Sequence, residues 1–503
     1  MTSPITLRVL AQLILFCSIA FSVNTTASPA ISSLPLQSRG AVNTTSLHAC
    51  AALSLSSSAS SLVVTPFTFF DLADQHYMIT SSQVSTCTVQ PATAQDLAAT
   101  LKTIAAKRAK FAVVAGGHTG NQGFSSTDGV LISLEKFNEI SLDKNTQQVT
   151  YGAGVTWDTV YNTLEGTGYN VVGGRVAGVG VGGYHTGGGG YSWLSNQFGL
   201  AADNLISVDM VLPNGTLATA SESNNADLFW AIRGGGNRFG IVYSFTVKAH
   251  PQPAQVYGGY RIAIGDANVQ KVISATAKFA ANNTASAAQI ITTLNSELGI
   301  PRAIVLAYYP GTSAPAGSLD AFDGISWLID GWKVQTFSSL VSSIPSNLQK
   351  GQRGGFESFA VKTLSVPMLQ YIAKTVATLG KSHSATLTSI EVEPFASTLP
   401  GMAKSAAWDH SSNAWPQAIY FAWTSSADDV YWRKQLVDLG KTLTAMAQAE
   451  GQDLSDAYLY PNYAGAGTAL SAMYPPENLA RLKTLRAEID PQNVMGLTTW
   501  FDF

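Results

Sequence analysis

Residues 111–124 read Phe-Ala-Val-Val-Ala-Gly-Gly-His-Thr-Gly-Asn-Gln-Gly-Phe, an apolar run that passes directly into a glycine-rich turn holding one histidine, His118. Phe111–Val114 has the apolar, largely β-branched character of a short buried strand. Gly116, Gly117, Gly120 and Gly123 then permit positive φ, so that successive N–H groups can converge on one point and form an anion-binding nest. A histidine is an odd choice for packing inside such a turn, which marks His118 as a candidate for chemistry. The following stretch, Thr127–Leu134, returns as a second strand. The unit reads strand, phosphate loop, strand. A Rossmann or Walker loop needs a helix after its glycines, so the pattern argues against both.

Of the 44 glycines in the chain, 25 fall between residues 111 and 240, with no solenoid period. They read as punctuation around something that the backbone approaches closely. The 12% of charged residues and net charge of −3 lack the basic surplus of a nucleic-acid binder. Arg8 followed by an apolar run to Phe21 predicts a signal peptide over residues 1–22 and a secreted protein. That run is too short to span a bilayer with ease, and no later segment is apolar for long enough, so no membrane partner is expected. Removal of the signal takes Cys17 with it and leaves Cys50 and Cys87, most simply a disulfide in an exported chain. Two lone cysteines argue against a metal site. Asn43, Asn214 and Asn282 each open an Asn-X-Thr triplet, the form of a glycosylation acceptor.

Residues 86–114 predict strand (Thr86–Val89), helix (Ala92–Lys107), strand. Thr93 caps the helix ahead of Asp96, and Leu97, Leu101, Ile104 and Ala105 recur at helical spacing. After Pro251 the glycine clusters thin out, and strands mix with amphipathic helices such as Ala267–Ala281 and Asp428–Glu450. From Leu454 the chain turns aromatic, with Tyr458, Tyr460, Tyr463 and Tyr474. A helix, Leu479–Glu488, stops before Asp490.

Four clusters carry a family signal. They are the His118 loop; Gly173–Gly183 with Gly187–Gly190; Phe198–Asn204 leading into the strand Leu205–Leu212; and Asp227–Val242. In this order and spacing, with Tyr458–Tyr463 and Asp490–Val494 in the tail, the chain closely resembles the berberine bridge enzyme-like FAD-linked oxidoreductases. These belong to the vanillyl-alcohol oxidase, or PCMH-type, FAD-binding superfamily. The resemblance covers roughly residues 80–252 and 455–503 and is weaker between them. It implies an α+β fold: a PCMH-type FAD-binding domain (80–252), a substrate domain with an antiparallel sheet flanked by helices (253–453), and a C-terminal segment (454–503) returning to the first. An N-terminal lead-in spans 23–79.

The resemblance also implies FAD as cofactor, joined to a ring nitrogen of His118 through its 8α carbon. Its contacts would come from Ala115, Gly116, Gly117, Thr119 and Gly120 in the first loop, and from Val176, Gly178, Val179, Gly182 and Gly183 in the second. Asp203 and Asn204, then Gly240, Ile241 and Val242, and finally Asn462 in the tail complete the set. The physical reading agrees, because backbone donors can cradle a pyrophosphate without a positive charge, and glycines admit main chain to a flat ring. Doubly tethered members carry a cysteine where this chain has Val176, so a single linkage is expected. Valine at 179 is associated in the family with access of oxygen to reduced flavin, which favours an oxidase.

Oxidation by flavin passes a hydride to its N5 while a base takes the substrate's hydroxyl or amine proton. Tyr463 matches the family's tail tyrosine and is a candidate base or substrate anchor, with Tyr460 on the opposite face if that segment is a strand. Glu391 and Glu393 share one face of a strand, Leu387–Val392, because side chains alternate; either could reach the cavity or a solvated face. Trp408-Asp409-His410 offers a possible dyad, although neighbours on a loop rarely converge on one atom. His185 could face the flavin or be satisfied within its loop. The expectation is a secreted FAD oxidase acting on a sugar, alcohol or natural product, with O2 as acceptor. A redox-silent flavoprotein that guides a cyclisation or binds a ligand, or a dehydrogenase with another acceptor, stays open.

Overall fold

The computed structural model describes residues 44–56, 62–64, 76–283, 285–344 and 350–503. The expected signal peptide, most of the 23–79 lead-in and the Asn43 acceptor lie outside them. The described residues form one compact unit built on three sheets.

The first sheet orders β1 (Leu62–Val64), β2 (Cys87–Gln90), β3 (Phe111–Val114) and β4 (Val130–Ser133) as β1-β2-β4-β3. β3 and β4 are parallel and adjacent, joined by the glycine loop alone, so strand, loop, strand is the observed unit. Helix α1 (Ala94–Lys107) begins where Thr93 accepts a hydrogen bond from the Asp96 N–H at 3.1 Å, two residues later than expected. Its Leu97, Leu101 and Ile104 are fully buried. A Cys50–Cys87 disulfide ties the preceding helix, Thr44–Ser56, to β2. Cross-linking residues 37 apart in sequence restricts the unfolded chain, a stabilisation of about 3–4 kcal/mol. Replacing both cysteines by serine is therefore expected to lower unfolding stability by that order in a urea titration, and an unchanged midpoint would refute the assignment.

The second sheet runs β5 (Ile140–Asp143), β6 (Gln148–Gly152), β10 (Ile241–Pro251), β8 (Leu205–Val211), β9 (Leu217–Ser221), with β7 (Tyr169–Val171) also paired to β10. The third is antiparallel throughout. Its main order is β14 (Ile329–Asp330), β11 (Val256–Ile264), β13 (Ile300–Tyr309), β12 (Gln289–Glu297), β17 (Ala385–Val392), β18 (Trp415–Trp423), β16 (Arg353–Val361). β15 (Lys333–Gln335) adds to β11. Alternation gives this sheet two different faces. Ile290, Leu294, Val305, Ile390, Ile419 and Phe421 share an apolar cluster with residues of three helices, Asp266–Asn282, Val366–Leu379 and Asp429–Ala449. The opposite face looks towards the glycine loops. Mixed helix and antiparallel sheet is thus the observed class, as expected. Tyr458–Tyr463 is not a strand: 458–460 are irregular and 461–463 form a turn, with the Tyr463 and Ala464 N–H groups both bonded back to Tyr460 O. Among the described residues, no helix is long and apolar enough to cross a membrane.

Candidate active site

A cavity of about 390 Å³ separates the glycine loops from the third sheet, within the size range of small-molecule and cofactor sites. Its loop wall includes Ala115, Gly116, Gly117, His118 and Thr119 from the first turn, and Val176, Val179, Gly182 and Gly183 from the second. Gly240, Ile241, Val242, Asn462 and Tyr463 close it. The two loops meet where only glycine fits: a Cβ on Gly116 would stand 2.5 Å from Gly180 N, and one on Gly180 would stand 2.5 Å from Gly116 N. Any side chain there would wedge the nest open.

His118 sits at the centre of this wall. Its ring stacks on Tyr77 at 4.2 Å with Phe356 stacked at 6.4 Å, and its Nε2 is buried without a hydrogen-bond partner. Burial pulls the imidazole down to about 4, so at neutral pH the ring is uncharged and keeps a nitrogen lone pair. Residues 76–78 brace the loop. Tyr77 N–H donates to Gly117 O at 3.0 Å and His76 Nε2 donates to Ser125 O at 2.9 Å.

The sheet wall is two cross-strand rows. Ile304, Thr293, Glu391 and Ala418 pair in one, and Arg302, Asn295, Ser389, Tyr420 and Phe356 in the next; all nine line the cavity. Glu391 is the carboxylate of this wall. Burial, reinforced by the neighbouring charge of Glu393, pushes it up to about 7. Tyr77 and Tyr420 share a hydroxyl interaction beside it, and burial raises Tyr77 to about 12.

Several expected site residues do other work. Glu393 lies just beyond the strand end, 1% exposed and ion-paired with Arg175, and is not part of the cavity lining. Tyr463 lines the cavity, but its hydroxyl accepts from Arg175 at 2.7 Å and donates to Glu393 at 3.1 Å. Burial pushes that phenol well above its usual range, so it suits an anchor rather than a base. Gly120 and Gly178 lie behind the lining: Gly120 packs against Phe356 and Met78, and Gly178 N–H donates to Asp158 at 2.7 Å. Asp203 and Asn204 are not part of the cavity lining, and internal bonds engage their side chains. Asp203 accepts from Leu200 N–H, Lys404 N–H and His410 Nε2, all within 2.8 Å. Asn204 donates to Phe198 O and Leu200 O and accepts from His250. His410 therefore pairs with Asp203 and not with Asp409. His185 is buried in the core, held by the Tyr151 hydroxyl at 2.7 Å.

Arg175, Tyr77 and Tyr420 escaped the sequence reading. A buried arginine inside a glycine run could have signalled Arg175, since an arginine there needs a charged partner. Nothing local marks the two tyrosines.

The first loop, with the walls around it, fits an FAD: an unpartnered histidine nitrogen, a glycine-only contact between loops, and a long apolar cavity. Comparison with known proteins agrees. Residues 85–221 match the family of FAD-binding domains. An uncharacterised FAD-linked oxidoreductase of Arthroderma benhamiae is 35% identical over 290 residues, 57% of this chain and 57% of that protein. The matched stretch thus spans little more than half of that relative. Among solved structures, the berberine bridge enzyme-like 1 protein of Physcomitrella patens superposes with a TM-score of 0.73 at 20% identity, over 91% of this chain and 98% of the other. The carbohydrate oxidase of Microdochium nivale gives 0.71 at 20% identity, over 89% and 98%. The chain thus carries an FAD-binding domain over residues 85–221 and shares the overall fold of these solved structures.

Proposed function

We propose that the protein is an oxidase that tethers FAD to His118, oxidises a small hydroxyl- or amine-bearing molecule and returns the electrons to O2. The observation that carries this reading is the unpartnered Nε2 of a neutral His118 within the glycine-walled cavity. Bound FAD would supply the acceptor for the substrate's hydride. Glu391, held near neutrality, accepts the proton from the substrate's hydroxyl or amine. Arg175 and Glu393 neutralise each other and hold Tyr463 as a fixed hydrogen-bonding edge beside the substrate. The apolar remainder of the walls, such as Ile291, Leu306 and Leu387, excludes water. The mixed polar row Arg302-Asn295-Ser389 suits a substrate with hydroxyls, and the carbohydrate oxidase neighbour supports a sugar within that class.

Export belongs to the same proposal. It is supported by the disulfide and by Asn214 and Asn282, both exposed. Absorbance of the purified protein before and after acid precipitation tests the reading. Yellow colour in the pellet supports a covalent flavin, and a colourless protein would reject it.

Val179 lines the cavity from the second loop, and its carbonyl is engaged by the Trp157 N–H at 3.0 Å. Its backbone is fixed, so a larger side chain cannot retreat. Val179→Ile adds a methylene to a tight wall, where overpacking costs about 1–3 kcal/mol or closes the space. Reoxidation of the reduced protein by air is expected to slow markedly while reduction by substrate changes little, as read by stopped-flow absorbance. Equal reoxidation rates would remove Val179 as a gate for oxygen.

A further inference from the structure

The C-terminal tail is fastened to the fourth glycine cluster by one residue. Arg238, 4% exposed, donates to four tail carbonyls: Met495 at 2.8 Å, Thr498 at 3.1 Å, Trp500 at 2.9 Å and Phe501 at 3.1 Å. Gly236, with φ of +64°, makes room for the tail, since a Cβ there would lie 2.2 Å from Trp500 Nε1. Gly123 of the first loop packs against Thr499, and Phe124 lies 4.8 Å from the Trp500 ring. The tail therefore touches both glycine clusters at once, and Trp500 lines the same cavity as His118.

Two polar atoms at this end of the cavity are buried without a hydrogen-bond partner: Trp500 Nε1 and Asn237 Oδ1. Both residues line the cavity. A buried donor or acceptor left unmet is costly, and Arg238 holds the main chain on both sides of Trp500 in place. One is a donor only and the other an acceptor. A pyrophosphate, which offers acceptors alone, answers both only if the Asn237 amide turns over to present its nitrogen, whereas Oδ1 as placed needs a donor. An adenine edge or a ribose hydroxyl answers both as placed, because each presents donor and acceptor together.

We infer that Trp500 and Asn237 form a donor–acceptor pair that binds the adenosine half of FAD, and that the tail, latched by Arg238, is a wall of the cofactor site. This rests on the FAD reading above. It makes the end of the chain a part of cofactor recognition, so a chain whose tail is not yet docked holds FAD poorly.

The test uses full-length His118→Ala protein, in which flavin binding is reversible, with and without Trp500→Phe. That change keeps an aromatic ring at the position while removing the N–H together with part of the indole, and the FMN measurement separates the two losses. Flavin fluorescence quenching gives the Kd for FAD and, in parallel, for FMN, which lacks the adenosine. The expected result is a tenfold or greater loss of FAD affinity with FMN affinity unchanged, and Asn237→Ala should act in the same direction. Unchanged FAD affinity would overturn the inference. So would an equal loss for FMN, which would make the tail a support for the fold alone. In the chain with His118 intact, Trp500→Phe should also lower the flavin-to-protein ratio reached at limiting FAD. If neither parent chain binds FAD at all, the FAD reading itself falls, and this inference with it.

Discussion

His118→Ala is expected to yield a folded protein that releases all of its flavin on denaturation. The histidine offers a neutral nitrogen inside the first loop. Val176 stands where a second tether would need a thiol, and the only two cysteines among the described residues, Cys50 and Cys87, are joined to each other. Truncation removes one face of the Tyr77–His118 stack, which is worth about 0.5–1.5 kcal/mol and is small against the stability of a fold this size. The loop keeps its other braces, the Tyr77 and His76 hydrogen bonds to Gly117 and Ser125. Absorbance of the acid-precipitated pellet reads the outcome. Flavin that stays with denatured His118→Ala protein would move the linkage to another residue.

Glu391→Gln is expected to lower kcat by about a hundredfold or more, the usual contribution of a positioned general base. The change is isosteric and leaves the row of Thr293, Glu391 and Ala418 intact, so the loss reports proton transfer. The pH dependence follows from the raised pKa. Burial and the Glu393 charge hold Glu391 near 7, and a base works only when ionised. For the wild type, kcat/KM should therefore rise with pH, bend near 7 and then level off. That limb should vanish in Glu391→Gln. A variant that keeps most of its activity and the same bend would exclude Glu391 as the base. Measuring peroxide release against a panel of sugars and aromatic alcohols supplies the substrate for both profiles.

Local rules explain what could be read early. The order of β3, glycine loop and β4 follows from a β-branched run meeting glycines that tolerate positive φ. Gly117 and Gly123 do take it, at 62° and 91°. Thr93 announced its helix because the cap bond spans three residues. Alternation put Glu391 on one face of its strand, and the count of cysteines left one possible pair. Each of these depends on residues a few positions apart, or on chemistry carried by the residue type alone.

The rest depends on which distant segments pack together. Glu393 obeyed the same alternation as Glu391 but passed the strand end, where Arg175, 218 residues away, captured it. Tyr463 met that ion pair across a separation of 288 residues, which favours the anchor over the base among its two expected roles. Asp203 and Asn204 lie in a cluster typical of cofactor domains, yet their bonds go to Lys404, His410 and His250, which only the folded chain brings near. By itself, the sequence determined a glycine-rich FAD-binding domain, one histidine within its first loop and a strand face that carries carboxylates. Tertiary structure decided which carboxylate is free, because buried charges take whatever partners the packing supplies, and unpaired burial is what moves Glu391 towards neutral pH.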